Sequence, residues 1–396
     1  MSRAIEVGDI FRAYGETYRS THRLSSAQHK VLTCISACRT SQLGGHVDQC
    51  DSCDHLRISY NSCRNRHCPK CRSLTKERWL EARKSELLAV KHFHIVFTLP
   101  HQLHPLIRSN ESLCYNLLFQ AASQTLIQLG KEKKYLHAQV GLLAVLHTWG
   151  QNLMYHPHLH CLVPAGGLSL EGDHWIRSRK RFFLPVKVIS RLFRGKFLAA
   201  LKAKFKQGEL ACLGQIAYIK GLKELNDYLR PIYRKEWVVY CKAPFSGPEQ
   251  VINYLGRYTH RVAISNERIT HMEKGKVNFS YKDYADGAKR KYMSVEADEF
   301  IRRFLLHILP KGLHKIRYYG LLASRNRKTR LAKARKLLGQ APILPKEKLP
   351  WFVLMEKLTG INPFQCPCCQ KGKMRYKYKL LPRQRAPPRA SLHPNH

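Results

Sequence analysis

The stretch MYHPHLHCLV, residues 154–163, contains two histidines separated by a single leucine. Successive side chains of a β-strand point to opposite faces, so a strand here presents His158 and His160 on one side and Leu159 on the other. Two imidazoles on one face can bind a divalent metal ion that polarises a phosphate oxygen. The pattern therefore predicts a metal site on a strand that Leu159 anchors in a core.

The third protein ligand of such a metal is open. His156 shares the face of His158 and His160 by the period of two. A buried strand predicted over 139–153 would be the antiparallel neighbour, and it would bring His147 or Gln151 close to the metal. Spacing alone does not choose among these three residues.

A second histidine pair lies in HFHIVFTLP, residues 92–100, which reads as a strand ended by a proline. His92 and His94 could be ligands by spacing. We interpret them instead as hydrogen-bonded residues of a central strand beside the metal site.

The nucleophile that such a metal requires is predicted in PEQVINYLGRYTHRVAI, residues 248–264. A proline and a glutamate at its start favour a helix. Tyr254 and Tyr258 are four residues apart, which places both on one helical face. A phenol attacks phosphate only when it is activated, and a metal-bound phosphate beside cationic groups allows this. Two arginines lie next to the tyrosines and are predicted to bind DNA: Arg257 and Arg261.

A cysteine-rich module covers residues 46–71. Cys50 and Cys53 form one CxxC unit, and Cys68 and Cys71 form another, fourteen residues later. This spacing predicts one structural zinc site made of these four thiolates. A second zinc or a different ligand set remains open, with four further candidates: Cys63, His67, His46 and His55. Basic residues interleave with the ligands and predict a DNA-recognition surface: Arg64, Arg66, Lys70 and Arg72.

A second cysteine cluster lies near the other end of the sequence, in CPCCQKGKMRY. Its thiols are Cys366, Cys368 and Cys369. One such knuckle supplies half a zinc site, so whether it binds metal is open.

These motifs in this order resemble the two-tyrosine rolling-circle transposases of the insertion sequence ninety-one family, which belong to the HUH superfamily of single-strand endonucleases. The resemblance spans roughly residues 30 to 325 and includes the HxH strand, the YxxxY segment and SCRNRHCPKC. It implies an α+β fold, in which an HUH nuclease domain with a central antiparallel sheet flanked by helices follows a small zinc-binding module.

The resemblance also implies a mechanism. Tyr254 or Tyr258 attacks one DNA strand at an element end and becomes linked to the 5′ phosphate, and the second tyrosine allows a second cleavage. Magnesium or manganese is the expected ion on His158 and His160. Which tyrosine acts first is left open. The alternatives are a plasmid replication initiator or relaxase, and a zinc-dependent DNA-binding protein without catalysis.

The composition supports DNA as the partner, because 69 Lys and Arg face 27 Asp and Glu, a formal net charge of +42. Such a field favours a polyanion. No apolar run reaches the length of a membrane span, and we expect a cytoplasmic, nucleoid-associated bacterial protein. Reduced cysteines fit that setting. The oligomeric state is not indicated.

We predict three consecutive domains. Residues 1–90 form a helical, zinc-binding DNA-recognition domain, residues 91–340 the catalytic domain, and residues 341–396 a basic tail with a possible zinc knuckle.

Overall fold

The computed structural model describes residues 4–84, 86–178, 183–245, 250–251, 256, 262–284, 286–342 and 349–383. Its α-helices are α1 Val7–Thr21, α2 Ser26–Ala37, α3 Arg72–Lys84, α4 His104–Ser109, α5 Glu111–Lys131, α6 Val186–Lys206, α7 Leu222–Arg234, α8 Ala297–Leu305, α9 Arg330–Leu337 and α10 Trp351–Thr359. Its strands are β1 Gly45–Cys50, β2 Leu56–Tyr60, β3 His92–Thr98, β4 Ala138–Gln139, β5 Gly141–Trp149, β6 Tyr155–Pro164, β7 Gly166–Ser169, β8 Trp175–Arg177, β9 Val239–Phe245, β10 Ile269–Glu273, β11 Lys276–Asp283, β12 Lys289–Glu296, β13 Ile316–Gly320 and β14 Met374–Leu380.

The chain divides into two compact units, each assembled from separate segments. One contains residues 79–263 and 309–346, and the other contains residues 1–78, 264–308 and 347–396. These are units of packing, and the three consecutive domains drawn from the sequence stay a prediction.

The unit that contains the histidine strand is built on a five-stranded sheet of order β13-β5-β6-β3-β9. All its neighbouring strands are antiparallel. Strand β6 lies at the centre, so that His160 is opposite Val96 of β3 on one side and Val145 of β5 on the other. The hairpin of β5 and β6 expected from the sequence is confirmed.

One face of this sheet packs against helices. Leu159, Cys161 and Val163 of β6 are completely buried there, in the same core as Phe97 of β3 and Phe193 of α6. The long helices α5 and α6 supply much of this core. Because side chains alternate along a strand, burial of this set directs His158, His160 and Leu162 to the opposite face.

The opposite face carries a smaller apolar cluster beside the histidines. Leu143 and Val145 of β5 and Leu162 of β6 pack there with Leu80 and the fully buried Val251. The sheet is therefore covered on both faces, which is why β5 is an unbroken buried run, GLLAVLHTW.

The other unit contains two three-stranded antiparallel sheets, β14-β1-β2 and β10-β11-β12. Helices α1, α2 and α8 contribute its apolar core, in which Phe11 meets Phe304 edge to face at 5.2 Å. A capping box begins α2, where Ser25 accepts from the Gln28 amide and Gln28 accepts from the Ser25 amide.

These findings confirm the predicted α+β class with an antiparallel sheet flanked by helices and a small cysteine-rich module. No described helix is long and apolar enough to cross a membrane.

The buried face of β6 gives a stability prediction. Replacing Leu159, which is fully buried, with alanine should lower the free energy of unfolding by roughly 2–5 kcal/mol, because transfer free energy is lost and a cavity remains. Urea titration measures the change. The matched control is Leu213→Ala at an exposed position, where a change within about 0.5 kcal/mol is expected. Equal losses for both variants would contradict the buried placement of Leu159.

Candidate catalytic and zinc sites

Three histidines converge on the face of the sheet opposite the large helical core, beside the smaller apolar cluster. His147 of β5 lies directly opposite His158 of β6, and His160 is two residues further along the same strand. Each offers a ring nitrogen, and these three atoms lie within 4.8 Å of one another. His147 and His160 are buried and His158 is half-buried, so the group is reachable from one side.

Backbone geometry fixes the tautomer of His158. Its Nδ1 lies 2.7 Å from the carbonyl oxygen of His156. A carbonyl only accepts, so Nδ1 carries the hydrogen and Nε2 of the neutral ring has a free lone pair. That Nε2 lies 3.0 Å from Nε2 of His160. The two nitrogens therefore point toward a common position, as two ligands of one metal ion would.

His94 of the neighbouring strand β3 contacts this pair through the ring of His160. Its Nε2 lies 2.9 Å from Nδ1 of His160, with the rings stacked at 5.1 Å between centroids. Burial lowers the pKa of His94 to about 3, and the positive charge of Lys242 acts in the same direction. A neutral His94 can accept a hydrogen bond from Nδ1 of His160, which would leave Nε2 of His160 available as a ligand atom.

A divalent cation fits this donor set. Octahedral ions with metal–ligand distances of about 2.1 Å separate adjacent ligand atoms by about 3.0 Å, the distance between Nε2 of His158 and Nε2 of His160. Three neutral imidazoles do not select one metal, since imidazole binds several transition metals well and magnesium prefers oxygen. The geometry is thus suited to a divalent metal ion but does not identify which one.

The sequence leaves the third ligand open among His156, His147 and Gln151. Among the described residues, the converging group contains His147. His156 contributes its backbone carbonyl to His158, and its ring lies 5.1 Å from the His158 ring. The cross-strand pairing of β5 and β6 explains this result, because His147 is the direct neighbour of His158.

Tyr254, Tyr258, Arg257 and Arg261 lie outside the described residues. Two residues near these positions in the sequence are described, Val251 and Gly256. Val251 is completely buried in the cluster on the histidine face of the sheet, together with Leu80. A Cβ on Gly256 would lie 3.1 Å from Cδ1 of Leu80. Val251 and Gly256 both therefore belong to the side of the sheet on which the histidines lie.

The cysteines form two groups of four in the other unit, and the sequence prediction of a single site from Cys50, Cys53, Cys68 and Cys71 is corrected. One group contains Cys38, Cys63, Cys68 and Cys71, and the other contains Cys50, Cys53, Cys366 and Cys369. Strand β2 lies between the two CxxC units that the spacing had paired, and it runs back along β1 away from Cys50 and Cys53. His67 is in neither group among the described residues.

In the first group, the sulfur of Cys38 lies 3.5 Å from that of Cys71 and 3.7 Å from that of Cys68. The Cys63 and Cys71 sulfurs are 3.6 Å apart. A tetrahedral Zn(Cys)₄ site with Zn–S bonds of about 2.3 Å has sulfur separations of about 3.8 Å. The group has the size of a structural zinc site.

Comparisons with known proteins agree with this arrangement. Residues 10–99 match the family described as "Transposase zinc-binding domain", and residues 141–330 match the family described as "Putative transposase". The protein named "Putative transposase y4qJ" of Sinorhizobium fredii is 51% identical over 373 residues, which is 93% of this chain and 94% of that protein. The chain belongs to the insertion sequence ninety-one family of transposases.

The transposase also resembles the "Transposase for insertion sequence element IS801" of Pseudomonas savastanoi pv. phaseolicola. The two are 29% identical over 358 residues, 87% of this chain and 82% of the relative. No solved structure matches the chain significantly. As a transposase, the protein is a nuclease and strand-transfer enzyme that acts on DNA and carries structural zinc.

A basic groove of about 530 Å³ runs beside the first cysteine group of the transposase. Its lining includes five cationic side chains and, among the described residues, no acidic one: Arg39, Arg64, Lys70, Arg72 and Arg78. Three of the four basic residues expected to recognise DNA are among them. Arg66 is the fourth, and burial lowers its pKa. Lys70 also forms an ion pair of 2.8 Å with Glu6.

Cys38 is a member of a cluster that the sequence analysis does not include, because it directly follows helix α2 and lies outside the cysteine-rich stretch 46–71. A count would have found it. Cys38 and Cys63 together with three CxxC pairs add up to eight thiols, which is two sets of four; the pairs are Cys50 with Cys53, Cys68 with Cys71, and Cys366 with Cys369. Spacing leaves His147 as one of three candidates for the third ligand, and the interpretation of His94 as a hydrogen-bonded residue beside the site agrees with its contact to His160.

Two buried histidines give a pH prediction. Burial lowers the pKa of His92 to about 4 and that of His94 to about 3 from an ordinary value of 6.5. The unfolded chain therefore binds more protons below pH 6.5, and stability is lost as the pH falls through 6.5 toward 4. Each histidine should lower the free energy of unfolding by about 2 kcal/mol between pH 7 and 5.

The measurement is urea unfolding at pH 7, 6 and 5 for wild type and His92→Gln. The variant should lose stability less steeply, because it lacks one group that must be protonated on unfolding. A slope equal to that of wild type would contradict a neutral, buried His92.

Proposed function

We propose that this transposase cuts and rejoins single-stranded DNA at the ends of its insertion sequence through a tyrosine–DNA intermediate, as in rolling-circle transposition. The observation that carries the proposal is the convergence of His147, His158 and His160 on one face of the central sheet. It is supported by the residues flanking the tyrosine motif, since Val251 and Gly256 belong to that same face.

In the proposed site, His158 and His160 hold a divalent cation through Nε2, and His147 is the third protein ligand. The cation, with magnesium or manganese as the expected ion, neutralises charge on the scissile phosphate when it is bound. The protein orients two of these rings through hydrogen bonds. The carbonyl of His156 holds His158, and His94 holds His160. Lys242, directly opposite His94 in the register, adds positive charge beside the phosphate.

Tyr254 and Tyr258 are the proposed nucleophiles. The phenol oxygen of one attacks the phosphorus atom, the bond from phosphorus to the 3′ oxygen breaks, and the phenol proton is lost while the 3′ oxygen leaves as a hydroxyl. The DNA 5′ phosphate is then esterified to tyrosine, so the energy of the broken bond is conserved. A 3′ hydroxyl of another strand can reverse the reaction at that phosphorus without ATP. The second tyrosine permits a second cleavage while the first end is held.

The zinc module is the proposed end-recognition surface. Its basic groove presents Arg39, Arg64, Arg72 and Arg78 on a scaffold that the cysteines hold in shape. Such contacts position a nucleic acid through its phosphates. The overall charge of +42 would strengthen binding and speed encounter with DNA.

Covalent attachment tests the nucleophiles. The probe is a single-stranded oligonucleotide of the element's terminal sequence, labelled at its 3′ end, incubated with manganese or magnesium and run on a denaturing gel. Wild type should yield a labelled protein band that requires the metal. Tyr254→Phe and Tyr258→Phe together should abolish the band, because no phenol remains to form the ester.

The exposed Tyr233 offers a matched control, and Tyr233→Phe should leave the band unchanged. His158→Ala should slow adduct formation on the order of 100-fold, by analogy with removal of one electrostatic stabiliser of a transition state. His174→Ala, at an exposed histidine, should not slow it. A full band from the double tyrosine variant would overturn the mechanism. No band from folded, zinc-loaded wild type would favour a DNA-binding protein without catalysis.

Salt dependence tests the DNA interface. With several phosphate contacts, the logarithm of DNA affinity should fall linearly with the logarithm of salt concentration, with a slope of about −0.7 per phosphate contacted on single strands. Replacing Arg64 and Arg78 with glutamine should reduce the slope by about one unit or more, because two phosphate contacts are lost. Fluorescence anisotropy at several salt concentrations measures it. A flat dependence for wild type would contradict the proposed interface.

A further inference from the structure

The family match to a zinc-binding domain ends at residue 99. It contains all four thiols of the first cysteine group, but only Cys50 and Cys53 of the second. We propose that Cys50, Cys53, Cys366 and Cys369 bind a second structural zinc ion, so that the zinc module is completed by a segment that lies far beyond the end of the family match at residue 99. This inference is independent of the cleavage chemistry.

The distances between sulfurs support a metal rather than disulfides. The sulfur of Cys50 lies 3.7 Å from that of Cys369, and the sulfur of Cys53 lies 3.7 Å from that of Cys366. A tetrahedral tetrathiolate zinc site has separations of about 3.8 Å, whereas a disulfide has a bond of about 2.0 Å. All four sulfurs lie within 4.8 Å of one another. The four thiols therefore form a closed ligand set.

The two CxxC units have matching backbone geometry. The residue after the second cysteine is in the left-handed region in each, with φ of 55° at Asp54 and 56° at Gln370. Backbone amides also point at the sulfurs. The amide of Ser52 donates to Cys50 at 3.4 Å, and that of Cys368 donates to Cys366 at 3.4 Å. Amide donors stabilise the thiolate form that binds metal.

A third amide, that of Gly372, donates to the sulfur of Cys369 at 3.3 Å. Glycine is required at this position, because a Cβ there would lie 2.4 Å from the sulfur of Cys50. The segment that carries Cys369 thus passes directly over the knuckle that carries Cys50. Two backbones in such close contact are expected where both contribute ligands to one ion.

The backbone joins the two knuckles as well. Cys50 is opposite Met374 in the antiparallel pairing of β1 with β14. The amide of Asp51 donates to the carbonyl of Lys373 at 3.1 Å, and the amide of Lys373 donates to the Asp51 carboxylate at 2.7 Å. Ordinary core packing is a poor alternative explanation for these thiols, since Cys53 is exposed. Metal binding explains why the exposed Cys53 thiol nevertheless lies close to three other thiols.

The second cysteine group is also connected to the basic groove beside the first group. Helix α10, just before the second knuckle, contributes Met355 and Leu358 to the groove lining. The same helix packs against Phe364 through Trp351 and Phe352, with ring centroids 5.8 and 5.3 Å apart. Phe364 is two residues from Cys366. The second zinc would therefore fix one wall of the groove that holds the DNA-binding arginines.

The test is the zinc content of the purified full-length chain by mass spectrometry of the metal. Wild type should contain two zinc ions per chain. Cys366→Ser with Cys369→Ser should contain one, because two ligands of the second site are lost. Cys38→Ser with Cys68→Ser should also contain one. The matched control is Cys368→Ser, whose thiol is exposed and outside both groups, and this variant should keep two.

Wild type containing one zinc would overturn the proposal, and so would a folded Cys366→Ser, Cys369→Ser variant that keeps two. Measurements on wild type alone cover the case in which that variant does not fold. Cobalt substitution should give two equivalents of tetrahedral thiolate ligand-field absorption, and a single equivalent contradicts the second site. These readouts need neither DNA nor cleavage, so they are separate from a failure of the proposed reaction.

Hydrogen exchange locates the effect. In the Cys366→Ser, Cys369→Ser variant, the amides of β14 should exchange at least about tenfold faster than in Cys368→Ser, since the strand loses the metal that holds it on β1. Equal protection in the two variants would mean that the second knuckle is held without metal, and would contradict the proposal.

Discussion

The alternation of side chains along β6 is the constraint on which the candidate catalytic site depends. Leu159, Cys161 and Val163 are buried without exposed surface among the helices, so a shift of register by one residue would drive the histidines into that core and the apolar side chains out of it. The pairing of β6 with both β3 and β5 holds this register from two sides. The apolar core therefore determines where the imidazoles point.

The same strand order gives each histidine its supporting partner. Because β3 and β5 flank β6, His94 reaches His160 from one side and His147 reaches the pair from the other. The groups that orient the rings are a backbone carbonyl and a neutral, buried imidazole. Neither group carries a charge. A rigid arrangement of neutral donors is suited to holding a cation while leaving it able to interact with phosphate.

The zinc module is stabilised in a different way. Its sheet, β14-β1-β2, exposes Leu56 and Ile58 and has little apolar material to bury on that strand. Thiol clusters at the ends of the strands supply the cohesion that a small sheet cannot obtain from a hydrophobic core. One cluster holds together residues close in sequence. The other joins segments from opposite ends of it, which gives the fold a connection that neither segment could make alone.

The sequence by itself determined the local features of this protein. The period of two in HPHLH identifies the face that carries His158 and His160, since that alternation is a property of any strand. The CxxC units and the charge follow directly from the sequence, and the motifs together indicated the family and with it the α+β class. These features depend on residues that are close together in the sequence, where backbone geometry leaves few alternative arrangements.

Only the tertiary structure decided which residues complete each site. His147 becomes the neighbour of His158 through the pairing of β5 with β6, and Cys50 meets Cys369 through the pairing of β1 with β14. Nearest CxxC units were the wrong guide, because β2 lies between Cys53 and Cys68 and runs back along β1. Partners far apart in sequence are selected by strand order and core packing, and a local pattern contains neither.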